Sequence, residues 1–153
     1  MRRKDKEMTR RSDIDDVLRR ALVLHLGLVD DGRAYVVPVD FGYDGTALYI
    51  HSAQEGRKVS VLRRNPRVFF QVEIDHVVVL SRTDTCHSTS RFRSVMGEGA
   101  AVFLDDPLER RRGLDIVMSK FAPAPFDYNE ARLAKVAVIR IDIESITGKS
   151  HGF

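Results

Sequence analysis

Apolar and polar positions alternate with a period of two through most of this chain, and the alternation is punctuated by turn signals. The run ALVLHLGLV ends at DDGR, where Asp31-Gly32 is a hairpin turn signal. AYVVPVDFGY follows, with Tyr35, Val37, Val39, Phe41 and Tyr43 on one face. A second Asp-Gly pair, Asp44-Gly45, leads into TALYIHS. These three segments predict a meander of antiparallel strands. Further on, RVFFQVEID places Val68, Phe70, Val72 and Ile74 on one side and Gln71, Glu73 and Asp75 on the other, and HVVVL extends or pairs with it. RFRSVMGEGAAVFL has strand character with Gly97 and Gly99 on one face, as at a bend, a bulge or a close approach. KVAVIRIDIESI closes the chain with Ile139, Ile141 and Ile143 inward and Arg140, Asp142 and Glu144 outward.

Three segments shift to a helical period. Ser12 opens one, with Asp15 at the capping-box position and Ile14, Val17, Leu18 and Leu22 along one side. Ser52 and Glu55 have capping-box spacing for a helix that runs to about Asn65, where Pro66 ends it. Asp106-Pro107-Leu108-Glu109 is a further capping box with proline at the first helical position, ahead of core-facing Leu114, Val117, Met118 and Phe121. Residues 81–90 and APAPFDYNE read as loops. The order is helix, three strands, helix, about three strands, helix, strand, with no βαβ rhythm. It predicts a mainly β, α+β domain: an antiparallel sheet closed into a small barrel with peripheral helices.

Charge refines this picture without redirecting it. The net charge of the 153 residues is +3, yet residues 1–11 alone carry six basic and two acidic side chains. The chain therefore divides into a basic leader, residues 1–11, and a balanced domain, residues 12–153. Confinement of basicity to the leader argues against nucleic acid as a partner. Arg110 to Arg112 lie within helical reach of Glu109 and Asp115 and read as a solvated charged face. No apolar run approaches the roughly 20 residues of a membrane span, and the charged N-terminus lacks the apolar region of a secretory signal. With a single cysteine, Cys86, a reducing cytoplasm is the expected compartment. Cys86-His87 is too sparse for a metal centre or a nucleophilic triad, so no metal is expected.

Candidate chemistry centres on YIHSAQEGRKVSVLRRNP. Arg57 and Lys58 fall at the start of a helix, where the dipole disfavours cations and welcomes anions. A phosphate held by helix amides, the Ser52 hydroxyl, Arg57 and Lys58 would remove that conflict. The spacing leaves open the alternative that both side chains face solvent or pair with Glu55 and nearby acids. His51 shares a strand face with Tyr49 and is a candidate proton donor beside that site, or a structural histidine. Pro38 interrupts an apolar strand, so the backbone there is an edge, a bulge, or turned toward something other than a strand, such as a flat heteroaromatic ring.

RAYVVPVDFGYDGTALYIHSAQEGRKVSVLRRNPRVFFQVE followed by RFRSVMGEGAAVFL resembles the pyridoxamine 5′-phosphate oxidase-like, FMN-binding split-barrel flavoproteins. Within them it is most similar to the nitroimidazole-resistance, Nim-type, group. The leader MRRKDKEM and the tail VAVIRIDIESITGK share in the likeness. The resemblance implies a six-stranded antiparallel split β-barrel and a homodimer with flavin at the subunit interface. It also implies transfer of reducing equivalents from NADH or NADPH to a small acceptor such as a nitro-heterocycle. FMN is the implied cofactor, with FAD, a deazaflavin or haem as alternatives, and a non-catalytic flavin-binding protein as a further one. Val37, Pro38 and Val39 match the strand that runs past the isoalloxazine ring. His51 and Ser52 match the strand end beside ring and ribityl chain, and Arg57 and Lys58 the phosphate-binding pair. Arg93 and Ser94 resemble later polar contacts contributed by the other subunit. The chain lacks the tryptophan that many relatives carry after the loop cysteine, reading Cys86-His87-Ser88. It also lacks the substrate-binding residues expected of a true pyridoxamine phosphate oxidase.

Overall fold

The computed structural model describes residues 3–153; Met1 and Arg2, part of the leader, lie outside them. Six antiparallel strands form a ring. In chain order they are β2 (Val23–Asp30), β3 (Arg33–Tyr43), β4 (Ala47–Ala53), β5 (Arg67–Val79), β6 (Thr89–Phe103) and β7 (Val136–His151). The sequence of neighbours is β7-β4-β3-β2-β5-β6, and β6 pairs back to β7 to close the ring. A two-residue strand, β1 (Glu7–Met8), adds to the far end of β7 and buries Met8. That strand and the short 3-10 turn at Lys4–Lys6 dock part of the basic leader on the ring.

Alternation drives the closure. The inward residues Leu24, Leu26 and Leu28 of β2, Phe41 of β3, Leu48 and Ile50 of β4, Val68, Phe70 and Val72 of β5 and Ile139 and Ile141 of β7 form one core. Gly97 makes room for it on β6, since a Cβ there would lie 2.5 Å from the Ser145 carbonyl oxygen and 2.9 Å from Phe70 Cε1. Asp31 and Gly32, both at positive φ, make the tight β2–β3 turn. One end of the ring is plugged by α1 (Arg11–Arg20), through Ile14, Val17 and Leu18, while α2 (Arg57–Arg64) inserts Val61 and Leu62.

A second, smaller core lies outside the ring. There α3 (Pro107–Met118) packs Leu114 and Val117 on Ala47, Tyr49 and Val138. The short α4 (Glu130–Leu133) adds Leu133. Asp106 caps α3 by accepting from the Leu108 and Glu109 amides, with Pro107 at its first turn, as its sequence predicts.

Several local expectations are corrected. Ser52 does not cap a helix: it lies in β4, which extends to Ala53 because Ser52 and Ala53 pair with Ala137 and Val136 of β7. The cap is Gly56, at φ 119°, so α2 begins at Arg57. α1 begins at Arg11, and Asp15, instead of closing a capping box, accepts from the Tyr43 hydroxyl and from Arg11. Phe121 lies past the end of α3 and is exposed. Arg110 leaves the solvated face to donate to the Leu133 and Val136 carbonyls, whereas Arg111 pairs with exposed Glu130 and Arg112 is exposed.

Candidate functional site

The ring is incomplete on one side. β3 pairs with β2 along Arg33–Asp40, but with β4 only at Phe41, Gly42 and Tyr43. β4 meanwhile stays on β7 through Ala53. The second edge of β3, from Arg33 to Asp40, therefore has no strand partner among the described residues. It diverges from the end of β4, leaving a split. Pro38 sits within this unpaired stretch, opposite His25 on the β2 side. Its missing N–H is tolerated where no complete central ladder is required, which meets the expectation of an edge.

Val37, Pro38 and Val39 form one lip of the split, with Val37 half-buried, Pro38 exposed and Val39 buried. The opposite side carries exposed His51 and half-buried Ser52 at the end of β4, then Arg57 and Lys58 in the first turn of α2. The two cations have different surroundings. Arg57 Nε donates to Asp30 Oδ2 at 2.8 Å, and its guanidinium carbon lies 4.1 Å from the centre of the Tyr35 ring. Those contacts tie the start of α2 to the β2–β3 hairpin. Lys58 is half-buried and has no hydrogen-bond or carboxylate partner among the described residues. Burial pushes its ammonium below the ordinary lysine range. A cation desolvated at a helix N-terminus, with no protein anion beside it, carries an electrostatic cost that a bound anion would offset.

Arg93 and Ser94 are not brought to this side. They lie on β6, separated from β3 by β2 and β5. Arg93 donates to Asp75 Oδ2 at 2.9 Å and stacks on Phe153, while Arg20 takes the other Asp75 oxygen. Asp75 adopts φ 57° at the irregularity between Ile74 and Val77. Ser94 is buried on the outward face of β6.

His51 opens onto a cavity of about 370 Å³. Its walls are Leu114 and Met118 of α3 and Tyr128, Arg132, Leu133 and Val136 of the α4 arm. The arm is held to α3 by Tyr128 donating to Asp115 at 2.9 Å, as well as by Arg110 and Arg111. Sequence reading missed this cavity because APAPFDYNE has no period, although Leu133 and Val136 carried an apolar signal. It also missed Asp30 and Tyr35 as partners of Arg57. Cys86 is exposed in the β5–β6 loop and His87 pairs with Asp84. No cluster of metal-ligating side chains occurs among the described residues, and no described helix is long and apolar enough to cross a membrane.

An open-sided ring with a polar helix start at its gap defines a split barrel, and comparison with known proteins agrees. A sequence model described as pyridoxamine 5′-phosphate oxidase matches residues 10–150, and the chain belongs to that family. Similar solved structures include a candidate 5-nitroimidazole antibiotic resistance protein from Bacteroides thetaiotaomicron. It is 31% identical, with a TM-score of 0.85 over 94% of this chain and 86% of that one. An FAD- and haem-binding protein from Mycobacterium smegmatis, 24% identical, superposes with a TM-score of 0.86 over 97% of this chain and 74% of that one. The flavocytochrome Anf3 from Azotobacter vinelandii, 20% identical, gives 0.87 over 100% and 72%. These last two likenesses bear on the fold alone. No curated protein matches the chain.

Proposed function

We propose that this chain is an FMN-dependent oxidoreductase that takes electrons from a reduced nicotinamide and passes them to a small acceptor, with nitro-heterocycles as the favoured class. The observation that carries this reading is Lys58, a half-buried ammonium without a protein partner among the described residues, in the first turn of α2 beside the split. Lys58 and the outer nitrogens of Arg57 would hold the phosphate of FMN, helped by the α2 amides. At the unpaired edge of β3 the Pro38 carbonyl, which faces away from β2, would accept from the polar edge of a flat ring, and Ser52 would offer a hydroxyl to the chain between ring and phosphate. When bound, the flavin would supply the hydride and electron chemistry.

His51 would give a proton to the acceptor at the mouth of the 370 Å³ cavity, whose largely apolar walls suit a one-ring heterocycle. A homodimer with flavin at the subunit interface fits the outward face of the ring. Val36 and Phe69 both stand across from Gly27 in the β3–β2–β5 ladder, and Met96 stands across from Gln71. All three apolar side chains are exposed. Apolar exposure of this kind marks an association surface, and pairing there would bring a second copy's β6, with Ser94 on its outward face, toward the split.

The test is anaerobic. Protein reconstituted with FMN should lose its absorbance near 450 nm on addition of NADH or NADPH and regain it on addition of a nitroimidazole. Flavin that binds but is not reduced by either nucleotide would refute the oxidoreductase reading and leave a flavin-binding protein. Strong binding of haem in place of flavin would refute the cofactor.

A further inference from the structure

Lys58 and Arg57 differ in one respect that the phosphate reading does not use: Arg57 is already immobilised. Asp30, the last residue of β2, is only 16% exposed at its side chain and divides its two oxygens between two guanidiniums. Oδ2 accepts from Arg57 Nε at 2.8 Å and Oδ1 from Arg64 Nη2 at 2.7 Å. The two arginines lie seven residues apart, two turns along one face of α2. Tyr35 completes the clamp from β3, its ring 4.1 Å from the Arg57 guanidinium carbon. The ring backs the guanidinium, and the Asp30 bond ties its Nε side.

We propose that Asp30 and Tyr35 are positioning residues that aim the two terminal nitrogens of Arg57 at the phosphate of the flavin. The inference rests on the phosphate-site reading given above. A guanidinium can grip an oxyanion side-on, through Nε and one Nη, or end-on, through both Nη groups. Asp30 occupies Nε, so only the end-on grip is left, and Arg57 is 58% exposed at its side chain, which leaves that end accessible. The arginine loses its rotameric freedom on folding and not on binding, which is how preorganisation raises affinity. Arg64 matters to the charge balance: a carboxylate between two guanidiniums leaves the trio net positive, so Asp30 orients Arg57 without cancelling the field at the site. The Arg57 hydrogen bond, with the fields of both arginines, also holds the Asp30 carboxyl below its usual range, so it is ionised wherever the protein is folded at neutral pH.

A purely electrostatic role makes the opposite prediction, and this decides the test. The quantity measured is the ratio of riboflavin to FMN dissociation constants, read from quenching of flavin fluorescence with the full chain, because only FMN carries the phosphate. Asp30→Asn raises the net charge by one unit, so an electrostatic role predicts tighter FMN binding. Positioning predicts a ratio lower by roughly five- to tenfold, the effect of weakening one charge-assisted hydrogen bond. Tyr35→Leu changes no charge and should lower the ratio by about fivefold, whereas Tyr35→Phe keeps the platform and should match the wild type. Riboflavin affinity should hold in all three, which separates positioning from general damage. If Asp30→Asn fails to fold, the Leu and Phe variants of Tyr35 still decide the matter. Tighter FMN binding by Asp30→Asn, or an unchanged ratio in Tyr35→Leu, overturns the proposal. Lys58→Ala distinguishes the two levels. If it removes the discrimination while Asp30 and Tyr35 variants keep it, only the positioning role fails. If it leaves the discrimination intact, or the wild type shows none, the phosphate site and this inference fall together.

Discussion

Gly42→Ala tests how the outer core is seated on the ring. Gly42 stands in β3 opposite Tyr49 of β4, and the backbone of α3 lies directly on it. A Cβ at this position would meet the Ile116 carbonyl oxygen, lie 2.5 Å from the Ile116 carbonyl carbon and lie 2.7 Å from the Val117 nitrogen. All three are main-chain atoms of a helix, so no side-chain rotation relieves the contact. α3 must retreat by roughly 1 Å to restore ordinary van der Waals separation, and a gap of that size forfeits a quarter to a half of each dispersion contact it opens. Val117, 1% exposed, and Leu114, 8% exposed, would both lose their seat against Tyr49 and Val138. Overpacking of this kind costs about 3 kcal/mol, equivalent to a fall in Tm of roughly 6–12 °C for a domain of this size. Thermal unfolding followed by circular dichroism reads it directly. The cavity beside His51 is walled by the same helix, so the KM for a nitro-heterocycle should rise while FMN affinity stays near wild type. A Tm within about 2 °C of the wild type would show that α3 does not bear on Gly42 as described.

Three further outcomes follow from the site and its surroundings. Burial depresses the Lys58 pKa in the free protein, and a bound phosphate would raise it, so FMN binding takes up protons on the alkaline side. FMN affinity should therefore fall as pH rises toward the ordinary lysine value while riboflavin affinity stays flat, and titrations at pH 7 to 10 in which FMN shows no fall would contradict the role of Lys58. His51→Ala should slow acceptor reduction by roughly 10- to 100-fold with most FMN still bound, and unchanged turnover in stopped-flow reoxidation would reduce His51 to a wall residue. Lys120 donates to the carbonyls of Leu18 and Ala21 at the end of α1 and lies over the Phe41 ring. Lys120→Met should cost about 2 kcal/mol by leaving those carbonyls without a donor. Burial also holds Lys120 down at about 8, so between that value and the ordinary lysine range the unfolded chain binds more protons than the folded one. Wild-type stability should rise across that window, by less than about 2 kcal/mol because Lys120 is only partly buried, and the Met variant should lack the rise in denaturant titrations.

Features legible in the sequence were those set by short-range physics. The alternation from Tyr35 to Tyr43 and from Val68 to Ile74, the Asp31-Gly32 turn and the Asp106 cap all depend on neighbours a few residues away, and each occurs as the pattern implied. Pro38 was informative for the same reason: a missing donor restricts its place in any sheet. Where a distant partner decided the outcome, local signals misled. The Ser52–Glu55 spacing is a genuine capping signal, yet pairing of Ser52 and Ala53 with β7 keeps them extended. Arg110 sits among carboxylates in sequence, but its acceptors are carbonyls 23 and 26 residues away. The basic pair shows both effects. That a helix follows β4 could be read from the pattern, whereas its start at Arg57, and the split between the pair's partners, with Arg57 held by Asp30 and Lys58 without a carboxylate among the described residues, required the fold.

The central claim is that the start of α2 binds the phosphate of a flavin. Titration of the purified chain with FMN and with riboflavin, followed by flavin absorbance and fluorescence, tests it most directly. The account predicts one FMN per chain, bound about 100-fold more tightly than riboflavin, the size of a half-buried ion pair made only by the phosphate. Equal affinities for the two flavins, or no binding of either, would contradict it.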